Sequence, residues 1–88
     1  MVTKRILQKL IFDDDDFGNM FITCAKRYGN EYLQYKRFFN REYTEEIDLE
    51  FMVKHYDNIV RYWKANESFS EVVDHLTKDE RKNYIGDK

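Results

Sequence analysis

The chain has 88 residues, of which 42% are hydrophobic and 36% are charged, and its formal net charge is −2. This apolar share is too high for a disordered chain, and the length suits a single small domain. Most nucleic-acid-binding domains are strongly basic, so the negative net charge argues against that class. A single cysteine excludes an internal disulfide framework.

The chain contains no proline and only three glycines, so the commonest helix breakers are scarce. We therefore predict an all-α fold, a small single-domain bundle of about five helices over residues 1–88. The longest helix is expected near residues 45–65. No apolar run approaches the roughly 18 residues that cross a membrane, and no secretion signal is recognisable, which predicts a cytoplasmic protein without membrane association.

The first predicted helix begins after Thr3, whose hydroxyl can cap it. Its apolar face is expected to consist of Ile6, Leu7 and Leu10. The acidic run Asp13–Asp16 then interrupts the apolar pattern. Neighbouring carboxylates repel one another and favour helix starts, so we predict a turn here, with Asp16 as the cap of the next helix.

Apolar residues recur at helical spacing over residues 17–28, and Gly29 is a natural residue for ending that helix. The aromatic residues of segment 30–40 are also three and four positions apart, which favours a second helix. Because aromatic residues prefer strands, a strand is the alternative for this segment.

A threonine followed by two acidic residues, at 44–46, is typical of a helix start, and the apolar pattern behind it predicts a helix over about 45–65. Two further start signals predict short helices near 69–76 and 78–85. The second of these signals, Thr77–Glu80, matches a capping box.

No motif marks a catalytic, metal or nucleotide site. The segment Asp13–Gly18 begins like a calcium loop, but Phe17 and Cys24 stand where that loop needs an oxygen ligand and its glutamate clamp. His55 and His75 lack the spacing of paired metal ligands, and no glycine-rich phosphate loop occurs. We therefore expect a protein that is not an enzyme and holds no metal or cofactor. The acidic run is interpreted as a solvated turn or an acidic contact patch.

The charges are arranged in blocks. Residues 13–16 and 44–57 each sum to −4, whereas residues 17–43 sum to +3 and interleave cations with aromatic rings. Cations for phosphates and rings for bases are what a single-stranded nucleic-acid platform needs. Rings at helical spacing more often face a core, and the aromatic residues of this chain are expected to supply most of its core, with some ring surface left exposed.

The abundant aromatic rings and the arrangement of charge in blocks, together with the lack of a recognisable catalytic or metal-binding motif, favour a protein-interaction role. We predict a non-enzymatic interaction module that inhibits or regulates another protein. Its predicted contact residues are Asp14, Asp15, Tyr32, Tyr35 and Trp63. For Trp63, a position in the core is the competing interpretation.

A nucleic-acid-binding regulator that uses residues 17–43 is the less favoured alternative, and its phosphate contacts would be Lys36, Arg37 and Arg41. A homodimer is a further alternative, because small domains gain core area by dimerising. In its short capped helices, acidity and aromatic content the chain is similar in general style to small phage-encoded inhibitors of host proteins. This similarity is one of composition and not of a motif.

Overall fold

Five α-helices make up the part of the chain that the structure, a computed structural model, describes, which is residues 2–66 and 76–85. In chain order they are α1 (Lys4–Asp13), α2 (Asp15–Phe39), α3 (Leu49–Lys54), α4 (Tyr56–Ala65) and α5 (Lys78–Ile85). No strand occurs in these two ranges, so the predicted all-α class is confirmed and segment 30–40 is helical up to Phe39. The helix predicted near 69–76 falls almost entirely outside the described residues.

Side-chain caps set the starts of the first two helices. The Thr3 hydroxyl accepts a hydrogen bond from the Ile6 N–H at 3.2 Å, as predicted. At the second start the cap is Asp14 and not Asp16, since Asp14 has the extended backbone and its Oδ1 accepts from the Phe17 N–H at 3.0 Å. Asp16 lies in the first turn instead, where its charge favours the positive end of the helix dipole.

Helix α2 has 25 residues and is the longest in the described part of the chain, so the prediction that the longest helix lies near 45–65 is wrong. Gly29, which was expected to end a helix, lies inside α2 and is buried. A β-carbon at this glycine would lie 2.6 Å from Ile47 Cδ1. The missing side chain therefore leaves room for the loop that follows α2, which is a packing role and not a termination role.

The helix predicted over 45–65 begins later and is interrupted. Its cap is Asp48 and not Thr44, because the Asp48 carboxylate accepts a hydrogen bond from the Phe51 N–H at 2.9 Å. His55 then leaves the helical conformation and separates α3 from α4. The carbonyl of His55 still accepts a hydrogen bond from the following turn, so the interruption is one residue long.

The predicted start of α5 is confirmed. The Thr77 N–H donates to Glu80 Oε1 and the Glu80 N–H donates to Thr77 Oγ1, both at 3.1 Å, which is a complete capping box. Helix α5 buries Arg81 and Ile85 against α1, α2 and α3.

Among the described residues the fully buried part of the core is mainly aliphatic, and seven further aromatic rings are half-buried against it, so most of the rings border the core and do not fill its centre. Its fully buried apolar members are Leu7, Ile11, Ile22, Cys24, Ala25, Met52 and Ile59, together with the rings of Phe21 and Phe51. On α1 the inward face is formed by Leu7 and Ile11, four residues apart. Ile6 and Leu10, expected on the same face as Leu7, are exposed.

Candidate interaction surface

The predicted contact residues lie at both ends of α2 and on α4. Asp14 and Asp15 are at the start of α2, Tyr32 and Tyr35 are in its last turns, and Trp63 is on α4. A helix of 25 residues is about 37 Å long at 1.5 Å per residue. The structure therefore does not bring the predicted acidic contacts together with the predicted tyrosines.

Asp14, Asp15 and Trp63 make internal contacts near the start of α2. Asp14 caps α2, and Asp15 Oδ1 accepts a hydrogen bond from Nη2 of the buried Arg81 at 2.7 Å. Trp63 is half-buried against the core, with its ring 5.7 Å from that of Phe17. All three side chains thus support the fold at the end of the molecule where α2 begins.

Aromatic side chains surround His55 where α3 meets α4. The ring centroids of Phe51, Tyr32 and Tyr28 lie 4.3, 4.6 and 5.7 Å from that of His55. The Tyr28 hydroxyl is 3.3 Å from His55 Nδ1, whereas Nε2 is buried and has no hydrogen-bond partner among the described residues. Tyr32 is consequently half-buried in this cluster and serves packing as much as the surface.

The surroundings of His55 predict a loss of stability in mild acid. Burial lowers the pKa of His55; the nearby carboxylate of Glu45 opposes this shift, and the ammonium groups of Lys54 and Lys36 reinforce it. An unfolded histidine therefore takes up a proton at a higher pH than the folded one. The free energy of unfolding should be highest above the unfolded pKa of 6.5 and should fall as the pH drops through the lowered folded value.

Urea unfolding, measured at a series of pH values on either side of the unfolded pKa, checks this prediction. Replacing His55 with glutamine removes the titrating group and should flatten the slope in that window relative to the wild type. An equally steep slope in both proteins would assign the acid sensitivity to other groups.

An exposed ring cluster formed by Tyr35, Phe38 and Phe39 lies at the C-terminal end of α2, and we call it the aromatic end. The three side chains are 63%, 81% and 71% exposed. Phe39 meets both other rings edge-to-face, with centroid distances of 5.1 Å. Leu33 is the last buried residue of α2, so the cluster lies beyond the part of the helix that packs on the core.

Of these three rings, only Tyr35 is among the predicted contact residues. The sequence does contain a signal for the other two, since residues 40–46 hold no aliphatic side chain that could cover Phe38 and Phe39 from the following loop. Contiguous exposed apolar area of this kind is typical of a contact surface.

The cations proposed for phosphate binding surround the aromatic end in sequence, and two of them already have intramolecular partners. Lys36 Nζ lies 5.5 Å from the centroid of the Tyr32 ring. Arg37 Nε donates to the Tyr43 carbonyl at 3.4 Å. Arg41 is exposed in the turn that follows α2. The segment 35–42, which contains the aromatic end, therefore carries three cations and one carboxylate.

Three further findings concern a thiol, metal ligands and membrane spans in the described ranges. Cys24 is buried, and burial raises the pKa of its thiol, against a smaller lowering by Arg27. Within residues 2–66 and 76–85, no three His, Cys, Asp or Glu side chains are placed to hold a metal ion. No helix in those ranges is both long enough and apolar enough to cross a membrane.

No protein-family model, curated protein or solved structure matches the chain.

Proposed function

We propose that this protein is a non-enzymatic interaction module that binds another protein through the aromatic end of α2 and thereby inhibits or regulates it. The observation that carries the proposal is the exposure of two phenylalanine rings, Phe38 at 81% and Phe39 at 71%. Because both rings are exposed, their apolar surface does not contribute the roughly 25 cal/mol per Å² of free energy that its burial would provide. A binding partner that covers them recovers this free energy.

The spacing of the rings supports a helix-in-groove mode of binding. Tyr35, Phe38 and Phe39 stand at positions i, i+3 and i+4 of one helix, which is the spacing of the anchor residues that amphipathic helices insert into apolar grooves. The helix is already folded up to Phe39, so binding orders few additional residues. A preformed anchor of this kind suits an inhibitor, which has to compete for an occupied site.

The same geometry favours a protein over a nucleic acid as the partner. Of the three candidate phosphate contacts, Lys36 lies over a tyrosine ring and Arg37 donates to a backbone carbonyl, so Arg41 is left as the most accessible cation. The chain as a whole is negative, which weakens attraction to a phosphate backbone. Cys24 is a free, buried thiol, which is compatible with binding of the partner in a reducing compartment such as the cytoplasm.

Removing the exposed rings is expected to abolish partner binding without affecting the fold. In the double variant Phe38→Ser/Phe39→Ser, capture of the partner from a cell lysate should fall by at least about tenfold, since one aromatic anchor is typically worth about 2 kcal/mol. The thermal midpoint should stay close to that of the wild type, because neither ring is in the core. Quantitative mass spectrometry of the captured proteins, with and without nuclease, measures the first effect, and circular dichroism measures the second.

Gln34→Ser is the matched control, since this exposed residue lies on the same stretch of α2 and leaves the rings intact. It should capture the partner as the wild type does. The proposal fails if capture disappears on nuclease treatment and depends on Lys36, Arg37 and Arg41 but not on the rings. That outcome would instead assign the surface to nucleic acid.

A further inference from the structure

A smaller buried cluster lies beside the main core. His55 is 7% exposed and stands at the break between α3 and α4, with its ring packed among those of Tyr28, Tyr32 and Phe51. We call these four residues the histidine cage. Phe51 is buried, yet it lies outside the contiguous cluster in which most other buried apolar residues contact one another, and Tyr28 connects the cage to that cluster. A satellite cluster of this kind can open while the main core stays folded.

The closed cage accommodates a neutral imidazole and not an imidazolium. The Tyr28 hydroxyl is 3.3 Å from His55 Nδ1, and Nε2 is buried without a hydrogen-bond partner among the described residues. A protonated ring carries an N–H on both nitrogens. Tyr28 can accept one of these hydrogen bonds, so the second N–H and the charge would be buried without an acceptor. The faces of the aromatic rings attract a cation, but burial of the charge is the larger effect, and it lowers the pKa of His55.

The charged groups near the cage do not compensate a proton on His55. Lys36 of α2 and Lys54 of α3 oppose protonation, and Glu45 of the loop 40–48 favours it. That carboxylate is already engaged, since the Tyr43 hydroxyl donates to Oε1 and Lys54 Nζ lies 3.7 Å from Oε2. Further titratable groups near the cage are the hydroxyls of Tyr28 and Tyr32 on α2 and, on α4, Tyr62 and the exposed Asp57 of the first turn. Protonation of His55 therefore disfavours the closed cage.

We infer that His55 is a pH-sensitive switch: its neutral ring holds α2 and the loop 40–48 against the joint between α3 and α4, and its protonation opens the cage while the main core stays folded. The backbone at His55 is already outside the helical conformation, with φ −106° and ψ 19°, so the ring can leave by rotation at an existing joint. Tyr32 lies three residues before Tyr35, so opening also removes packing next to the aromatic end and regulates binding there. Only this regulatory consequence rests on the proposed function.

Hydrogen exchange of the folded, full-length chain, followed by NMR in low concentrations of urea, tests the switch. Between about pH 7.5 and about pH 5, protection of the amides in 30–36 and 53–57 should fall by up to about thirtyfold, because the unfolded pKa of 6.5 lies about 1.5 pH units above the lower pH. This opening should be insensitive to urea, since it exposes little surface. Amides of the main core around Leu7 and Ile22 should instead exchange through global unfolding, whose free energy falls with urea. Equal dependence on urea in the two sets would show that the cage opens only when the whole protein unfolds, and would overturn the inference.

Two histidine variants separate the switch from a general sensitivity to acid. His55→Gln removes the titrating group, so the amides around the cage should keep the same protection at both pH values, within about twofold. His75→Gln removes the only other histidine of the sequence and should behave like the wild type. Loss of the pH dependence in His75→Gln, or its survival in His55→Gln, overturns the inference.

The His75→Gln chain keeps the test decisive should His55→Gln fail to fold. His55 is then the single histidine, and its imidazole signals report its pKa directly by NMR. A pKa below the unfolded value of 6.5 is expected, whereas a pKa of 6.5 or higher would show that the closed cage accepts the proton and would overturn the inference. None of these measurements involves a partner, so failure of the switch and failure of the proposed function give different results.

Discussion

Replacing Gly18 with alanine is expected to destabilise the protein by about 2 kcal/mol, or about 10 °C in thermal midpoint. Gly18 is buried in the first turn of α2, against the last turn of α1. A β-carbon at this position would lie 2.4 Å from the carbonyl oxygen of Ile11 and 3.2 Å from Arg81 Cδ. The first neighbour is backbone in the last turn of α1, so relief requires the two helices to move apart. The gain in helix propensity of about 1 kcal/mol does not offset that displacement.

Gly29 provides a matched control within the same helix. A β-carbon there would lie 2.6 Å from Ile47 Cδ1, 2.8 Å from Ile47 Cγ1 and 3.3 Å from Phe51 Cε1, which are all side-chain atoms, and Ile47 is on a loop that can shift. Gly29→Ala should therefore stay within about 1 kcal/mol of the wild type, because the propensity gain offsets the cost of the shift. Urea unfolding followed by circular dichroism measures both variants. Equal losses at Gly18 and Gly29 would show that burial alone, and not contact with backbone, sets the cost.

The start of a helix could be predicted from the sequence where only one nearby residue could act as its cap. Thr3 and the pair Thr77 and Glu80 have no competing caps nearby, and each forms the predicted hydrogen bonds. Where several acidic or hydroxyl residues stand together, as in Asp13–Asp16, any of them can cap. The choice then depends on how α1 packs against α2, which is not encoded in the short-range pattern.

The candidate surface was only partly predictable for a related reason. Rings at positions 28, 32, 35, 38 and 39 share the same helical spacing, and this pattern does not say where the covering elements stop. In the structure, Tyr28 and Tyr32 pack around His55, whereas Tyr35 lies beyond Leu33 and is exposed. The boundary between core and surface on α2 is therefore set by the reach of α3 and α4 and not by the composition of α2.

Arg81 and Asp15 form an ion pair whose two halves should respond unequally to mutation. Arg81 is 1% exposed and donates to Asp15 Oδ1 at 2.7 Å and to Asn19 Oδ1 at 2.8 Å, while its Nε has no partner among the described residues. The Asp15 side chain is 70% exposed. Desolvation therefore falls almost entirely on the arginine, and the carboxylate is the group that compensates it.

Asp15→Asn is accordingly expected to cost about 2 kcal/mol, because it leaves a buried cation without its anion. This is less than the loss of roughly 3–5 kcal/mol typical of a fully buried pair, since water reaches the carboxylate side. Arg81→Met should cost less than Asp15→Asn, because methionine keeps part of the apolar stem against Gly18 and removes both the charge and the unpaired Nε. Urea unfolding of the two single variants and the double variant measures these differences.

The double variant tests this asymmetry most directly. Once Arg81 is methionine, Asp15 has no buried cation to neutralise, so adding Asp15→Asn should change the free energy of unfolding by no more than about 0.5 kcal/mol. If Arg81→Met instead proves the more costly single change, the hydrogen bonds from the guanidinium to Asp15 and Asn19 outweigh the desolvation of its charge. In that case the polar contacts of Arg81 would hold α5 against the start of α2. The apolar packing of the Arg81 stem and of Ile85, which are the buried residues of α5, would contribute less.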